Sequence, residues 1–79
     1  MMVELIDYRI ETNDDFNRAL QEIKEKMHLS SRVRDELLWA INQERDYSVV
    51  VKQKGLSHGL SLVKNNQKEF ILTYYQFEK

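Results

Sequence analysis

The sequence predicts a two-layer α+β domain in which a helical hairpin packs on one face of a mainly antiparallel sheet. Alternating apolar and polar residues open the chain, and two stretches with apolar residues at helical spacing follow. After residue 46 the composition changes to β-branched and aromatic residues that favour strands. The predicted order is strand, helix, helix, strand, strand, strand. The 79 residues suffice for a single domain, 1–79, because compact domains commonly reach ~100 residues.

The first strand is predicted from Val3 to Glu11. Its apolar residues alternate with charged ones, which is typical of a half-buried strand; they are Ile6, Tyr8 and Ile10. The pattern does not say where this strand joins the sheet. It can pair with the last strand, or it can stay an edge that is open to another chain.

Two helices are predicted next. The first runs from Phe16 to Met27, and either Thr12 or Asn13 can accept hydrogen bonds from its first backbone amides. The second helix follows a short break and is capped by Ser30 or Ser31. Its apolar stripe comprises Val33, Leu37, Ala40 and Ile41. A connection this short predicts a helical hairpin.

Three strands complete the prediction. The first covers Tyr47 to Lys54, and a loop from Gly55 to Gly59 follows it. The other two, Leu60 to Lys64 and Lys68 to Phe77, flank a hairpin turn. We expect a three-residue turn, Asn65 to Gln67, which sets Leu62 opposite Phe70 and Leu60 opposite Leu72 and places all four on one face with Tyr74.

Composition excludes several classes of protein. The chain has no Cys, so disulfides, thiolate nucleophiles and cysteine-based zinc sites are excluded. No apolar run approaches the ~18 residues of a membrane span, and the first residues do not resemble a secretion signal. We therefore expect a cytoplasmic protein with no cofactor. A core this small leaves little room for an enclosed pocket, so we expect no small-molecule substrate.

Catalytic and metal-binding patterns are weak. His28 and His58 lie 30 residues apart in predicted loops, without the spacing of metal ligands. Ser57 precedes His58, but adjacent side chains point apart and no third group orients the imidazole. Acidic pairs begin both helices, where the helix dipole accounts for them; they are Asp14–Asp15 and Asp35–Glu36. We expect no metal site and no enzyme activity.

The last strand is apolar or aromatic on both faces, although the helices can cover only one face of the sheet. Ile71, Tyr75 and Phe77 are therefore candidate interface residues, and Val50 and Val63 would extend the same patch if they are exposed. Trp39, beside the apolar stripe of the second helix, is another candidate anchor.

We expect a small interaction module that regulates or inhibits a larger protein, with possible homodimerisation through the sheet. Alternatively, the first strand and the chain ends fold over the sheet face that bears Ile71, Tyr75 and Phe77, and no interface is then exposed there.

Charge suggests a different function. Residues 1–46 carry 7 basic and 11 acidic side chains, and residues 47–79 carry 5 and 2, so the net charges are -4 and +3. The sheet is therefore the basic layer, and lysines beside aromatic rings can bind the phosphates and bases of RNA or single-stranded DNA. The candidate residues for this alternative are Tyr47, Lys52, Lys54, Lys64 and Lys68. Edge lysines that prevent aggregation would give the same pattern.

In its element order of one strand, two helices and an antiparallel sheet, the chain resembles the RelE/ParE group of small toxins. That resemblance implies a sheet whose residues contact RNA or a protein partner. The chain departs from an RNA-cutting member in having no Arg from Tyr47 to Lys79 and only His58 as a proton donor or acceptor there.

Overall fold

The protein is described by a computed structural model that covers residues 2–78. The elements are β1 (Met2–Ile10), α1 (Asn13–Lys24), α2 (Ser31–Asn42), β2 (Tyr47–Gln53), β3 (Leu56–Lys64) and β4 (Phe70–Glu78). The strands form one sheet in the order β1-β4-β3-β2, and every neighbouring pair is antiparallel. The predicted two-layer α+β fold is confirmed.

The core lies between the helices and one face of the sheet. Both helices bury their apolar stripes: α1 contributes Phe16, Ala19, Leu20 and Ile23, and α2 contributes Val33, Leu37 and Ala40. The sheet contributes Ile10, Leu60, Leu62, Leu72 and Tyr74. The four residues from β3 and β4 are completely inaccessible to solvent, which places the centre of the core over the two middle strands.

Each helix begins at one of its two predicted capping residues. Thr12 accepts a hydrogen bond from the Asp15 amide, and the Asp15 carboxylate accepts from the Thr12 amide, which together form a capping box. Ser30 caps α2 by accepting from the Val33 amide at 3.2 Å. The first helix ends earlier than predicted, at Lys24, but Met27 is still buried in the core.

The β2–β3 connection is tighter than the sequence suggested. Lys54 and Gly55 form the turn, both with positive φ, as a two-residue type I′ hairpin requires. The predicted loop from Gly55 to Gly59 is therefore wrong. Gly59 lies inside β3, paired with Val50 on one side and Tyr75 on the other.

The β3–β4 hairpin has a longer turn and a different register from those predicted. Lys64 pairs with Phe70, and five residues, 65–69, connect the strands. Asn65 organises this turn because its side-chain oxygen accepts from the amides of Gln67 and Glu69, both at 2.9 Å. Leu62 therefore lies opposite Leu72, and Leu60 opposite Tyr74. The shift is two residues, which keeps every side chain on its predicted face.

The first strand pairs with β4 and also forms one edge of the sheet. Of the two possibilities that the sequence left open, the structure thus shows the pairing with the last strand. The Lys26 ammonium binds the Glu4 carboxylate at 3.0 Å and so links this edge to the end of α1.

Candidate protein-interaction surface

Within residues 2–78, no helix lies over one face of the sheet, and we call this face the open face. Leu72 and Tyr74 point into the core, so the alternate residues of β4 point to the opposite side. The open face of β4 carries Ile71, Thr73, Tyr75 and Phe77, all of which are half-buried. No other segment among residues 2–78 covers them, because β1 extends the sheet at its edge.

Aromatic rings lie flat across the middle of the open face. The Tyr75 ring occupies the space beside Gly59: an added Cβ there would lie 2.1 Å from Cζ of Tyr75. Phe77 stacks on Tyr75 with ring centroids 5.9 Å apart and an interplanar angle of 14°. Ser57, which pairs with Phe77, is only 3% exposed. The half-burial of both rings thus arises within the sheet, and their outer surfaces face solvent.

The pairing register arranges the open face in rows that cross all four strands. One row is apolar and contains Leu5, Tyr75, Gly59 and Val50. The neighbouring row is polar and contains Asp7, Thr73, Ser61 and Ser48. Within it, the Thr73 hydroxyl donates to the Asp7 carboxylate at 2.6 Å. A third row begins with Arg9, Ile71 and Val63.

Exposed aliphatic side chains extend the patch beyond β4. Val50 is 49% exposed and Val63 is 41% exposed, and both lie on the open face as the interface hypothesis required. Leu5 is 56% exposed and belongs to the same surface, but the sequence analysis did not select it. The alternation of β1 could have identified Leu5, because Ile6, Tyr8 and Ile10 assign the odd-numbered residues to the other face.

Trp39 does not join this surface. It lies on the solvent side of α2, 55% exposed, while Val33, Leu37 and Ala40 of the same helix are buried. The Arg45 guanidinium lies over its ring, 5.9 Å from the centroid, in a cation–π arrangement. Trp39 therefore lies on the opposite side of the molecule from the candidate interface residues Ile71, Tyr75 and Phe77.

The five residues of the nucleic-acid alternative are dispersed. Tyr47 points towards the helices, where its hydroxyl donates to Glu36; burial, followed by this hydrogen bond and the carboxylate charge, raises the pKa of Tyr47 to about 12. Lys52 and Lys54 lie at the β2–β3 end of the sheet, and Lys64 and Lys68 at the β3–β4 end. Lys52 pairs with Ser57, and the seven residues from there to Lys64, roughly 23 Å at ~3.3 Å per residue, separate the two pairs along the strands.

Lys64 is also paired with an acid. Its ammonium binds the Glu44 carboxylate, and this hydrogen bond and charge hold the pKa of Glu44 below its ordinary value. The structure therefore does not combine the four lysines with a ring into one basic patch.

His58 differs from its predicted position in a partly exposed loop. It lies in β3, is 4% exposed, and its Nδ1 shares a hydrogen bond of 2.8 Å with the Tyr74 hydroxyl. The even-numbered residues of β3, His58 among them, face the helices. The histidine that an RNA-cutting toxin would need is therefore buried.

His28 is exposed in the loop between the helices, as expected. Its backbone exchanges two hydrogen bonds of 2.9 Å with the side-chain amide of Gln53.

Neither a metal centre nor a membrane-spanning helix is found among residues 2–78. No group of three His, Asp or Glu side chains within this range could hold a metal ion. No helix in the same range is long and apolar enough to cross a membrane.

An open cleft of about 340 Å³ lies at one end of the helix–sheet boundary, between Phe16, Leu38 and Phe70. Its rim carries polar and charged side chains from the ends of several elements, among them Glu11, Asn42 and Lys68, and we assign no chemistry to it.

Comparison with known proteins found no match to the chain among family models, curated proteins or solved structures.

Proposed function

We propose that the protein is a non-enzymatic interaction module that binds another protein through the open face of its sheet. The single observation that carries the proposal is the exposure of apolar side chains on the open face of the sheet. Leu5 and Val50, 56% and 49% exposed, lie in the same row as Tyr75, and Val63, 41% exposed, lies beside Ile71 on the same face. Exposed apolar side chains grouped on one face and rimmed by polar residues are typical of protein interfaces. Regulation or inhibition of a larger protein fits such a module.

A matched pair of substitutions tests the proposal. Leu5→Lys places a charge on the open face, and Trp39→Lys places the same charge on the helical layer at nearly equal exposure, 56% against 55%. We expect Leu5→Lys to weaken protein binding at least ~10-fold, because an unpaired ammonium would be desolvated in the complex. Trp39→Lys should leave binding unchanged. Binding is measured by pull-down from native lysate and by sedimentation, with circular dichroism to verify the fold.

The opposite pattern would reject the open face as the binding surface. Loss of binding in Trp39→Lys with retention in Leu5→Lys would move the interface to the helical layer. Phe77→Ala provides a further check, because it removes apolar area from the open face without introducing charge.

Nucleic-acid binding stays the alternative prediction, and the dispersal of its lysines lends it no support. Steep loss of RNA or single-stranded DNA affinity between low and physiological salt would be its signature, because each neutralised phosphate releases counterions.

A further inference from the structure

A second cleft lies at the other end of the helix–sheet boundary, and we call it the hairpin cleft. It has a volume of about 360 Å³ and lies between residues 24–28, at the end of α1, and the β2–β3 hairpin. Met27 and Leu56 form its apolar wall, and charged side chains form its rim. The cleft opens at the surface and so takes no space from the small core. Its volume is sufficient for a small molecule, which needs ~300 Å³ or more.

The rim of the hairpin cleft is basic. Three lysines line it against one carboxylate: Lys24, Lys26 and Lys54 against Glu25. Lys26 binds the Glu4 carboxylate, whereas Lys24 and Lys54 form no ion pair with any of residues 2–78. The dipole of α1 accounts for a lysine at its end, but it does not account for Lys54, which the β2–β3 turn adds to the same rim. The rim charge therefore favours an anionic ligand.

His58 supplies a buried donor to the hairpin cleft. It lines the cleft although it is only 4% exposed, and its Nδ1 lies 2.8 Å from the Tyr74 hydroxyl. This hydroxyl has no other hydrogen-bond partner among residues 2–78, so it donates to Nδ1; otherwise its proton would be buried without an acceptor. In the neutral ring Nε2 then carries the proton, and in the protonated ring it carries one as well. Within the same residues Nε2 has no acceptor.

The donors of the hairpin cleft suit a phosphate group. The ammonium groups of Lys24 and Lys54 and the Nε2–H of His58 come from α1, the β2–β3 turn and β3. A phosphate offers three strong acceptor oxygens to such a set, whereas a carboxylate offers two. The apolar wall of Met27 and Leu56 gives the carbon part of a small molecule a place to pack.

We propose that the hairpin cleft binds the phosphate group of a small phosphomonoester through Lys24, Lys54 and His58. Binding gives the Nε2 donor of His58 an acceptor and places a counter-charge beside two unpaired lysines. The cleft lies on the helical side of the sheet, because the even-numbered residues of β3 face the helices. This site is therefore separate from the open face and goes beyond the function proposed above.

NMR titration with glycerol 3-phosphate and with inorganic phosphate tests the site. Sodium chloride keeps the ionic strength constant, and the backbone amides and the ring nitrogens of His58 are observed. We expect saturable shifts at residues 24–28 and 53–58 and at Nε2 of His58. Glycerol 3-phosphate should bind more tightly than inorganic phosphate, because its carbon chain contacts the apolar wall. Acetate should bind at least ~10-fold more weakly, since it carries less charge and fewer oxygens.

Lys54→Gln and Lys68→Gln form a matched pair of variants. Both lysines are exposed turn residues with left-handed backbone, at φ of 53° and 63°, and neither forms an ion pair with any of residues 2–78. They lie at opposite ends of the sheet. Lys54→Gln should weaken the binding of glycerol 3-phosphate at least ~10-fold, because a charge-assisted contact is lost. Lys68→Gln should leave it unchanged, and circular dichroism verifies the fold of both variants.

Equal losses in the two variants would show that the phosphate responds only to the overall charge of the chain, and would overturn the proposal. Shifts that do not saturate, or an Nε2 signal of His58 that does not move, would overturn it as well. Equal binding of acetate would reject phosphate as the recognised group. Equal or tighter binding of inorganic phosphate would replace the phosphomonoester by free phosphate. Binding of a short RNA without a response to glycerol 3-phosphate would reject a small-molecule ligand.

Discussion

At the scale of single residues, Gly59 determines the shape of the open face. Its missing side chain lets the Tyr75 ring lie flat against the backbone of β3, where an added Cβ would be 2.1 Å from Cζ of the ring. A glycine inside a strand ordinarily weakens it, by roughly 0.5–1 kcal/mol relative to alanine. Here the close approach of the ring offsets that cost and flattens the surface.

Gly59→Ala is therefore expected to destabilise the protein by about 1 kcal/mol. The ring must swing out and lose its contact with the strand and its stacking on Phe77, which outweighs the gain in strand propensity. In a Tyr75→Ala background the same substitution should become neutral or stabilising. Urea unfolding of the wild-type protein, the two single variants and the double variant measures this coupling. Equal costs in both backgrounds would show that the ring does not fill the space beside Gly59.

His58 and Tyr74 show a different residue-scale principle. Both are buried, and the hydrogen bond between them at 2.8 Å satisfies Nδ1 and the hydroxyl together. A buried polar group without such a partner costs about 1–3 kcal/mol. We therefore interpret His58 as part of the core and not as a reactive group.

At the scale of elements, short side-chain hydrogen bonds set where the helices begin. The sequence offers two adjacent serines for α2, and the structure uses Ser30, whose extended backbone lets its oxygen reach the Val33 amide. Ser31 is the first helical residue and is exposed. The two serines thus form a natural control pair.

Ser30→Ala should lower the free energy of unfolding by about 1 kcal/mol, because a backbone amide at the start of α2 loses its acceptor. Ser31→Ala should change it by less than about 0.5 kcal/mol, as is usual for exposed substitutions. Thermal or urea unfolding measures both values. A larger loss in Ser31→Ala than in Ser30→Ala would contradict the assignment of the cap.

At the scale of the whole molecule, the helical layer desolvates three tyrosine hydroxyls. Burial is the largest cause of the raised pKa of Tyr8, Tyr47 and Tyr74, and nearby carboxylates act in the same direction. For Tyr47 the value reaches about 12 against an ordinary 10.0. The folded protein therefore keeps these protons at pH values where the unfolded chain has released them.

Stability should consequently fall as the pH rises from about 10 to 12, because the native state binds more protons than the unfolded state in that window. Below about pH 10 these groups stabilise the fold fully. Tyr47→Phe should flatten part of this decline, and Tyr8 and Tyr74 should account for a remaining slope. Urea unfolding at several alkaline pH values measures the effect. An identical slope in the wild-type and Tyr47→Phe proteins would show that Tyr47 does not contribute.

Local patterns in the sequence were sufficient for the identity, order and facing of the elements. Alternation in β1 and β4 and the helical spacing in α1 and α2 depend on backbone geometry alone, so they predicted which side chains enter the core. The same parity predicted that Ile71, Tyr75 and Phe77 point away from the helices. Even the wrong β3–β4 register preserved these faces, because a shift of two residues does not change parity.

Tertiary structure alone decided how the elements meet. The pairing of β1 with β4, the position of Gly59 beneath Tyr75, the burial of His58 and the inward direction of Tyr47 all depend on neighbours distant in the chain. Asn65 and Asn66 look alike as turn residues, yet only Asn65 holds the turn, through two backbone amides. The physical reason is that alternation constrains the direction of a side chain, whereas the partner it meets depends on strand order and register, which long-range packing selects.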